Sequence, residues 1–250
     1  MKDDRREHLE GHVVVWMTQV LTAQNAMPFL ESCLDAHDRE RAARFHFAED
    51  RARYVLGRAL VRNILGRYLA QAPETIALTY TDHGQPYFPG DETMRFSITH
   101  AHDLVAVALT ANAQIGIDIE YVERKLNLNE LAGRILSADD FGAFKALPGS
   151  EKEAEFFRVW TRKEAYLKAR GEGISEGLQK ISVSFGPDEV TSLADTRDES
   201  TAQKWRMHKL SLPAEYMGAL ACDDAAKRID FQRVGFEGSE LILQTARETE

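Results

Sequence analysis

The chain has 250 residues, 44% of them hydrophobic and 28% charged, a composition that supports a buried core and lies well away from disordered or membrane proteins. Its net charge of −9 argues against a general nucleic-acid binder, and Cys33 and Cys222 are too few and too far apart for a disulfide framework or a thiolate zinc cluster. No run approaches the roughly 20 apolar residues that span a bilayer, and the N-terminal MKDDRREHLEGH lacks a signal peptide's apolar stretch, so a cytoplasmic protein without membrane contact is expected.

VVVWMTQV (13–20) is rich in β-formers and reads as the first strand. From Gln24 to Ala70 the pattern turns helical: Phe29 and Leu30 open one helix, and Tyr54, Val55, Ala59, Ile64, Leu65 and Tyr68 recur at near-helical spacing. Within it stand eight arginines, at 39, 41, 44, 51, 53, 58, 62 and 67, against Glu40, Glu49 and Asp50, a local charge of about +5 on an acidic chain. Such a run is either a solvated helix face or a site for phosphate or an acidic partner, and the pattern alone leaves both open. Pro73 ends the run. IALTYT (76–81) reads as a strand, His83-Gly84-Gln85-Pro86 as a turn, and MRFSITH (94–100) and LVAVALT (104–110) as two further strands.

After a polar break at 111–114 the rhythm repeats. A strand, a mostly helical stretch from Leu128 to Ala169, and strands ISVSF (181–185), QKWRMHKLSL (203–212) and EYMGALAC (215–222) follow. This order fits an α+β protein of two halves of similar size, joined near 111–114, with a shared cleft as a natural place for a site.

Two segments carry candidate chemistry. In Gln114-Ile115-Gly116-Ile117-Asp118-Ile119-Glu120 the isoleucines alternate with Gly116, Asp118 and Glu120, so one strand face is apolar and the other acidic. Two same-face carboxylates roughly 7 Å apart can converge on a hard cation; the same pattern also suits an exposed face that meets only water. Phe156 to Arg170 has no Pro or Gly until Gly171 and reads as a helix. Phe157, Trp160, Glu164 and Lys168 fall on one side of it, and Glu164-Lys168 is either an ordinary i,i+4 surface pair or the rim of a cleft. Gly171-Glu172-Gly173-Ile174 permits a tight turn or simply caps the helix. His100 stands at a strand end beside Thr99, where it could contact a phosphate or be structural.

The order F-S-I-T-H, I-G-I-D-I-E, then W-T-R-K-E-A-Y-L-K-A-R-G-E-G-I resembles the signature set of the surfactin-type (Sfp-like) 4′-phosphopantetheinyl transferases, in its WxxKEA form. Asp118 and Glu164 stand 46 positions apart, as that family's two motifs require. The resemblance runs from about residue 39 to Ile174, some half of the chain. It implies two similar, pseudo-twofold α+β halves, each a small mostly antiparallel sheet packed on a long helix, with the active site in the cleft between them. Residues 1–112 would form the half facing the phosphates and adenine of coenzyme A, and 113–250 the half carrying the metal ligands and the WxxKEAxxK helix.

The implied reaction moves phosphopantetheine from coenzyme A to a serine of an apo acyl- or peptidyl-carrier protein and releases 3′,5′-ADP. Carried over residue by residue, Asp118, Glu120 and Glu164 would hold Mg²⁺, Glu164 would serve as base, and Lys168 would bind the pyrophosphate, supported by Lys163. Thr99 and His100 match the pair that touches the coenzyme's phosphates, and Arg39, Arg41, Arg44 and Arg53 occupy the region of its 3′-phosphate. Gln85 and Pro86 stand where relatives often carry G-K-P, so one phosphate-binding cation is either missing or replaced by an arginine. Carrier domains are typically acidic, so a basic face would steer them; no nucleic acid is implied, and a monomer would suffice. Clustered carboxylates with a lysine would also suit a Mg²⁺-dependent phosphodiesterase, and a non-catalytic module that binds carriers or coenzyme A is a third reading.

Overall fold

The computed structural model describes residues 9–122, 127–173, 177–186, 193–198, 203–226 and 228–244. In chain order the strands are β1 (His12–Gln19), β2 (Thr79–Tyr80), β3 (Pro86–Tyr87), β4 (Met94–Ala101), β5 (Leu104–Ala111), β6 (Ile115–Tyr121), β7 (Ile181–Val183), β8 (Leu193–Asp195), β9 (Trp205–Lys209), β10 (Tyr216–Asp223), β11 (Arg228–Glu237) and β12 (Glu240–Gln244). The helices are α1 (Val20–Ala23), α2 (Met27–Ser32), α3 (Ala36–Ala43), α4 (Ala48–Leu69), α5 (Leu128–Ile135), α6 (Ala138–Ala146) and α7 (Lys152–Arg170). The chain is thus α+β, as expected, and among the described residues no helix is long and apolar enough to cross a membrane.

It divides into two compact units, residues 1–112 with 226–250, and residues 113–225. The tail is the departure from the sequence expectation, which placed 226–250 in the second half. β11 pairs in parallel with β1 and antiparallel with β12, giving the first unit a sheet of order β12-β11-β1-β5-β4. Parallel pairing between strands more than 200 residues apart leaves no local turn signal to read. The helical stretches are also more broken than the sequence suggested. Asp35 N-caps α3 through Asp38 N, and Ser137 N-caps α6 through Asp140 N, each starting a new helix inside an expected longer one.

In the first unit, α4 lies across the sheet, with Val55, Leu56, Ala59, Leu60 and Ile64 buried against Val105, Val107 and Leu109. Contact is close at Gly57, where a Cβ would stand 3.2 Å from Ile98 Cγ2. In the second unit, the antiparallel sheet β6-β10-β9 carries α7, whose Phe156, Phe157, Val159, Ala165, Tyr166 and Leu167 join Ala219 and Ala221 in the core.

Candidate functional site

The strand face that carries Gly116, Asp118 and Glu120 is covered by α7. Asp118 pairs in register with Ala219 and Gly116 with Ala221, so small residues line the floor on which the helix rests. The approach is closest at Gly116: a Cβ there would lie 2.1 Å from the Ala165 carbonyl oxygen and 2.4 Å from the Ala169 amide nitrogen. Only glycine permits this contact, and it brings the Glu164–Lys168 side of α7 onto Asp118.

Lys168 Nζ lies 2.6 Å from Asp118 Oδ1 and donates to the Ile117 carbonyl at 3.2 Å. Asp118 and Glu164 are buried and Glu120 half-buried. Burial, followed by the charge of Asp118, pushes the Glu164 carboxyl up to about 7; Lys168 pulls it down and Glu120 adds to the rise. Burial disfavours the Lys168 ammonium, yet Asp118, Glu164 and Glu120 together hold it above the ordinary lysine value. Four groups read from two distant motifs therefore act on one another, and the reading of Asp118 and Glu120 as a solvent-facing strand face does not describe them. Trp160, one turn before Glu164, lowers the Glu164 carboxyl slightly against the rise from burial and neighbouring charge and packs edge-on against Phe156 at 5.4 Å.

The arginines of the first unit separate into two kinds. Arg62 is fully buried and binds Asp35 Oδ2 at 2.6 Å and Asp38 Oδ2 at 2.8 Å. Arg58 is also buried, its Nε lying 3.7 Å from Asp38 and its guanidinium stacked over the rings of Tyr54 and Tyr80. The hydroxyls of Tyr54 and Tyr80 donate to Asp38; burial raises that carboxyl, but these bonds and the two arginines hold it below the usual range. Asp35, His37 and Asp38 offer ligand atoms within 4.8 Å of one another, but the carboxylates are neutralised by guanidinium, and the cluster serves as an ion-paired anchor of α3 on α4. These two arginines leave the basic face counted from the sequence, because their acidic partners Asp35 and Asp38 lie just before the counted window.

Arg41, on α3, and Arg44, its C-cap, are by contrast exposed. Together with His37, Glu40 and Phe45 they line a pocket of about 360 Å³. Arg41 stacks over Tyr54, its Cζ 5.6 Å from the ring centroid, and Arg44 pairs with Glu40. Arg39, also exposed, donates to the Leu34 carbonyl at 2.6 and 2.8 Å. Arg53 donates to the His102 carbonyl at 2.8 Å and pairs with Asp50, which sets it beside the β4–β5 turn that follows His100. His100 is exposed and Thr99 buried; as neighbours on a strand they point to opposite faces, not side by side. Gln85 is held in the β2–β3 turn, its carbonyl accepting from Thr81 N at 2.9 Å, and Pro86 opens β3 opposite Tyr80.

Residues 114–221 match the family described as the 4′-phosphopantetheinyl transferase superfamily, and residues 22–112 that described as 4′-phosphopantetheinyl transferase, N-terminal. The 4′-phosphopantetheinyl transferase HetI of Nostoc sp. is 33% identical over 205 residues, which cover 81% of this chain and 84% of that protein. The chain belongs to this family. The 4′-phosphopantetheinyl transferase Sfp of Bacillus subtilis is 29% identical over 179 residues, 72% of this chain and 78% of the relative, and psf-1 of Bacillus pumilus is 32% identical over 171 residues, 68% and 72%.

For a 4′-phosphopantetheinyl transferase, one sequence expectation needs correction. Lys163 does not stand beside Lys168 as a second phosphate-binding cation. It is fully buried, ion-paired with Asp140 and donating to the Ile135 and Leu178 carbonyls, because residues five apart on a helix point about 140° away from one another. His37 and Phe45, which line the pocket with Arg41 and Arg44, were not singled out from the sequence. The signal was there: His37, Arg41 and Arg44 follow the i, i+4, i+7 spacing of one helix face. Asp118, Glu120 and Glu164 supply hard oxygen donors of the kind Mg²⁺ takes, and a divalent cation would offset the charge of Asp118 and Glu120 that adds to burial in raising Glu164. Ile174, where the resemblance ends, lies outside the described residues.

Proposed function

We propose that this chain transfers 4′-phosphopantetheine from coenzyme A to a serine hydroxyl of an apo acyl- or peptidyl-carrier protein in a Mg²⁺-dependent reaction, releasing 3′,5′-ADP. The observation that carries this reading is the meeting of Asp118, Glu120, Glu164 and Lys168 where α7 crosses β6, since it joins hard-cation ligands, a base and a phosphate-neutralising cation.

Asp118, Glu120 and Glu164 would hold the ion, which when bound offsets charge on the pyrophosphate and orients it. Glu164 takes the serine proton, directly or through a water. The serine oxygen forms a bond to the β-phosphorus while the bond from that phosphorus to the bridging oxygen breaks, and the electron pair leaves with 3′,5′-ADP. Lys168 neutralises the leaving phosphate. Arg41 and Arg44, in a pocket with an aromatic ring and an imidazole, suit a nucleotide phosphate, with Arg39, Arg53 and His100 as further candidates.

Incubation with apo-carrier protein, coenzyme A and Mg²⁺ should increase the carrier's mass by one phosphopantetheine arm. Carriers left unchanged across a panel, with a phosphodiester cleaved instead, would favour a phosphodiesterase; carriers bound but unmodified would favour a docking module.

A further inference from the structure

Lys163 is one of the most deeply enclosed charged side chains of the second unit, and the chemistry above does not use it. Its Nζ lies 2.7 Å from Asp140 Oδ2, 3.1 Å from the Leu178 carbonyl oxygen and 3.2 Å from the Ile135 carbonyl oxygen. Two carbonyl acceptors and one ion-paired carboxylate thus surround the ammonium. They come from three separate segments: Ile135 is the last residue of α5, Asp140 lies in the first turn of α6, and Leu178 opens the short 3₁₀ turn before β7. The Ile135 carbonyl is a helix-end acceptor of the kind that needs a partner outside its own helix. Ser137, the N-cap of α6, also accepts from Ser182 Oγ on β7 at 2.7 Å, so the α5–α6 corner is tied to the same strand.

A buried side chain held from three directions prevents its helix from rotating about its own axis. Gly116 sets how closely α7 approaches β6, and Lys168 ties the last turn of the helix to Asp118 and the Ile117 carbonyl; Lys163 holds the helix more than a turn earlier and on a different side. Because residues 163 and 164 diverge by about 100°, fixing one direction fixes the other. We propose that Lys163 is a positioning residue of the transfer reaction, which locks the rotation of α7 so that Glu164 faces Asp118, and that it makes no contact with the phosphates of coenzyme A.

The kinetic part of this inference rests on the transferase reading; the structural part does not. The experiment compares Lys163→Met, Asp140→Asn and the double variant Lys163→Met with Asp140→Leu, measuring the thermal midpoint without substrate, and kcat and KM for coenzyme A per folded enzyme. Removing one partner of a buried pair strands the other, whereas replacing both by apolar residues can restore packing. Expected are a lowered midpoint and a kcat reduced about tenfold in both single variants, with KM for coenzyme A within about twofold, and recovery of the midpoint in the double variant. A midpoint unchanged with KM raised tenfold or more in Lys163→Met would make Lys163 a phosphate ligand and overturn the inference. A lowered midpoint with unchanged kcat in both single variants would also overturn it, leaving a purely structural lysine. Should the unaltered protein transfer nothing to any carrier, the transferase reading fails, while failure of the double variant to recover the midpoint would still refute the anchor.

Discussion

Lys168 and Asp118 meet at 2.6 Å, so the ammonium of a helix residue is docked on the strand that supplies two of the three acids. The contact gives the carboxylates a resident counter-charge without filling their capacity for oxygen ligation. One lysine does not neutralise three acids, and the remaining negative charge adds to burial in raising the carboxyl of Glu164.

A pH dependence of stability follows. The folded-state value of Glu164, about 7, lies above its ordinary 4.5, so the folded protein holds this proton more tightly than the unfolded chain. Its contribution is fully present below about 4.5 and is lost as pH rises through about 7, amounting to roughly 3 kcal/mol at most. Mg²⁺ needs the ionised form, so it competes with the proton. Thermal midpoints without metal should fall between pH 5 and 7.5, and the increment given by added Mg²⁺ should grow over the same interval. A metal increment independent of pH would contradict this linkage.

Asp118→Asn keeps the shape but removes the charge that faces both Lys168 and Glu164. Glu164→Gln removes the base as well as a ligand. Each should lower transfer at least about 100-fold while far-ultraviolet circular dichroism shows the fold retained. Transfer in either variant within about threefold of the unaltered protein would refute the assignment.

These acids were legible in the sequence because period two on a strand and 3.6 on a helix fix which side chains share a face, and Gly116 marks where the two elements touch. Lys163 was not, since its neighbour in sequence says nothing about which segments will surround it after folding. The arginine run misled for a related reason: the partners of Arg62, Asp35 and Asp38, lie just upstream of the counted residues. β11 and β12 carried a signal that went unread, two runs of β-formers around Gly238-Ser239, although pairing with β1 is a tertiary choice.

Gly116→Ala tests the close crossing. Its Cβ would strike backbone atoms of Ala165 and Ala169, which cannot rotate away, so α7 must lift from β6. The expected cost is at least about 3 kcal/mol, the upper range for overpacking, together with loss of transfer. Gly142→Ala, in α6 with nothing within 4 Å of the added Cβ, should instead stabilise by roughly 0.5–1 kcal/mol. Denaturant titration of both variants decides it; equal effects would mean that the helix does not need the glycine.

The two kinds of arginine in the first unit should respond oppositely. Arg62→Met leaves Asp38 buried among two tyrosine hydroxyls with Arg58 as its remaining guanidinium neighbour, and breaking such a pair costs about 3–5 kcal/mol. Arg41→Ala removes an exposed guanidinium from the pocket rim and one stacking contact with Tyr54, worth about 0.5–1 kcal/mol. If the pocket receives a coenzyme A phosphate, Arg41→Ala raises KM for coenzyme A about tenfold with little change in the thermal midpoint, and dephospho-coenzyme A, lacking the 3′-phosphate, loses the same factor with the unaltered protein but not with the variant. That missing second penalty is the decisive reading, because only a direct contact between Arg41 and the 3′-phosphate makes the two deletions non-additive.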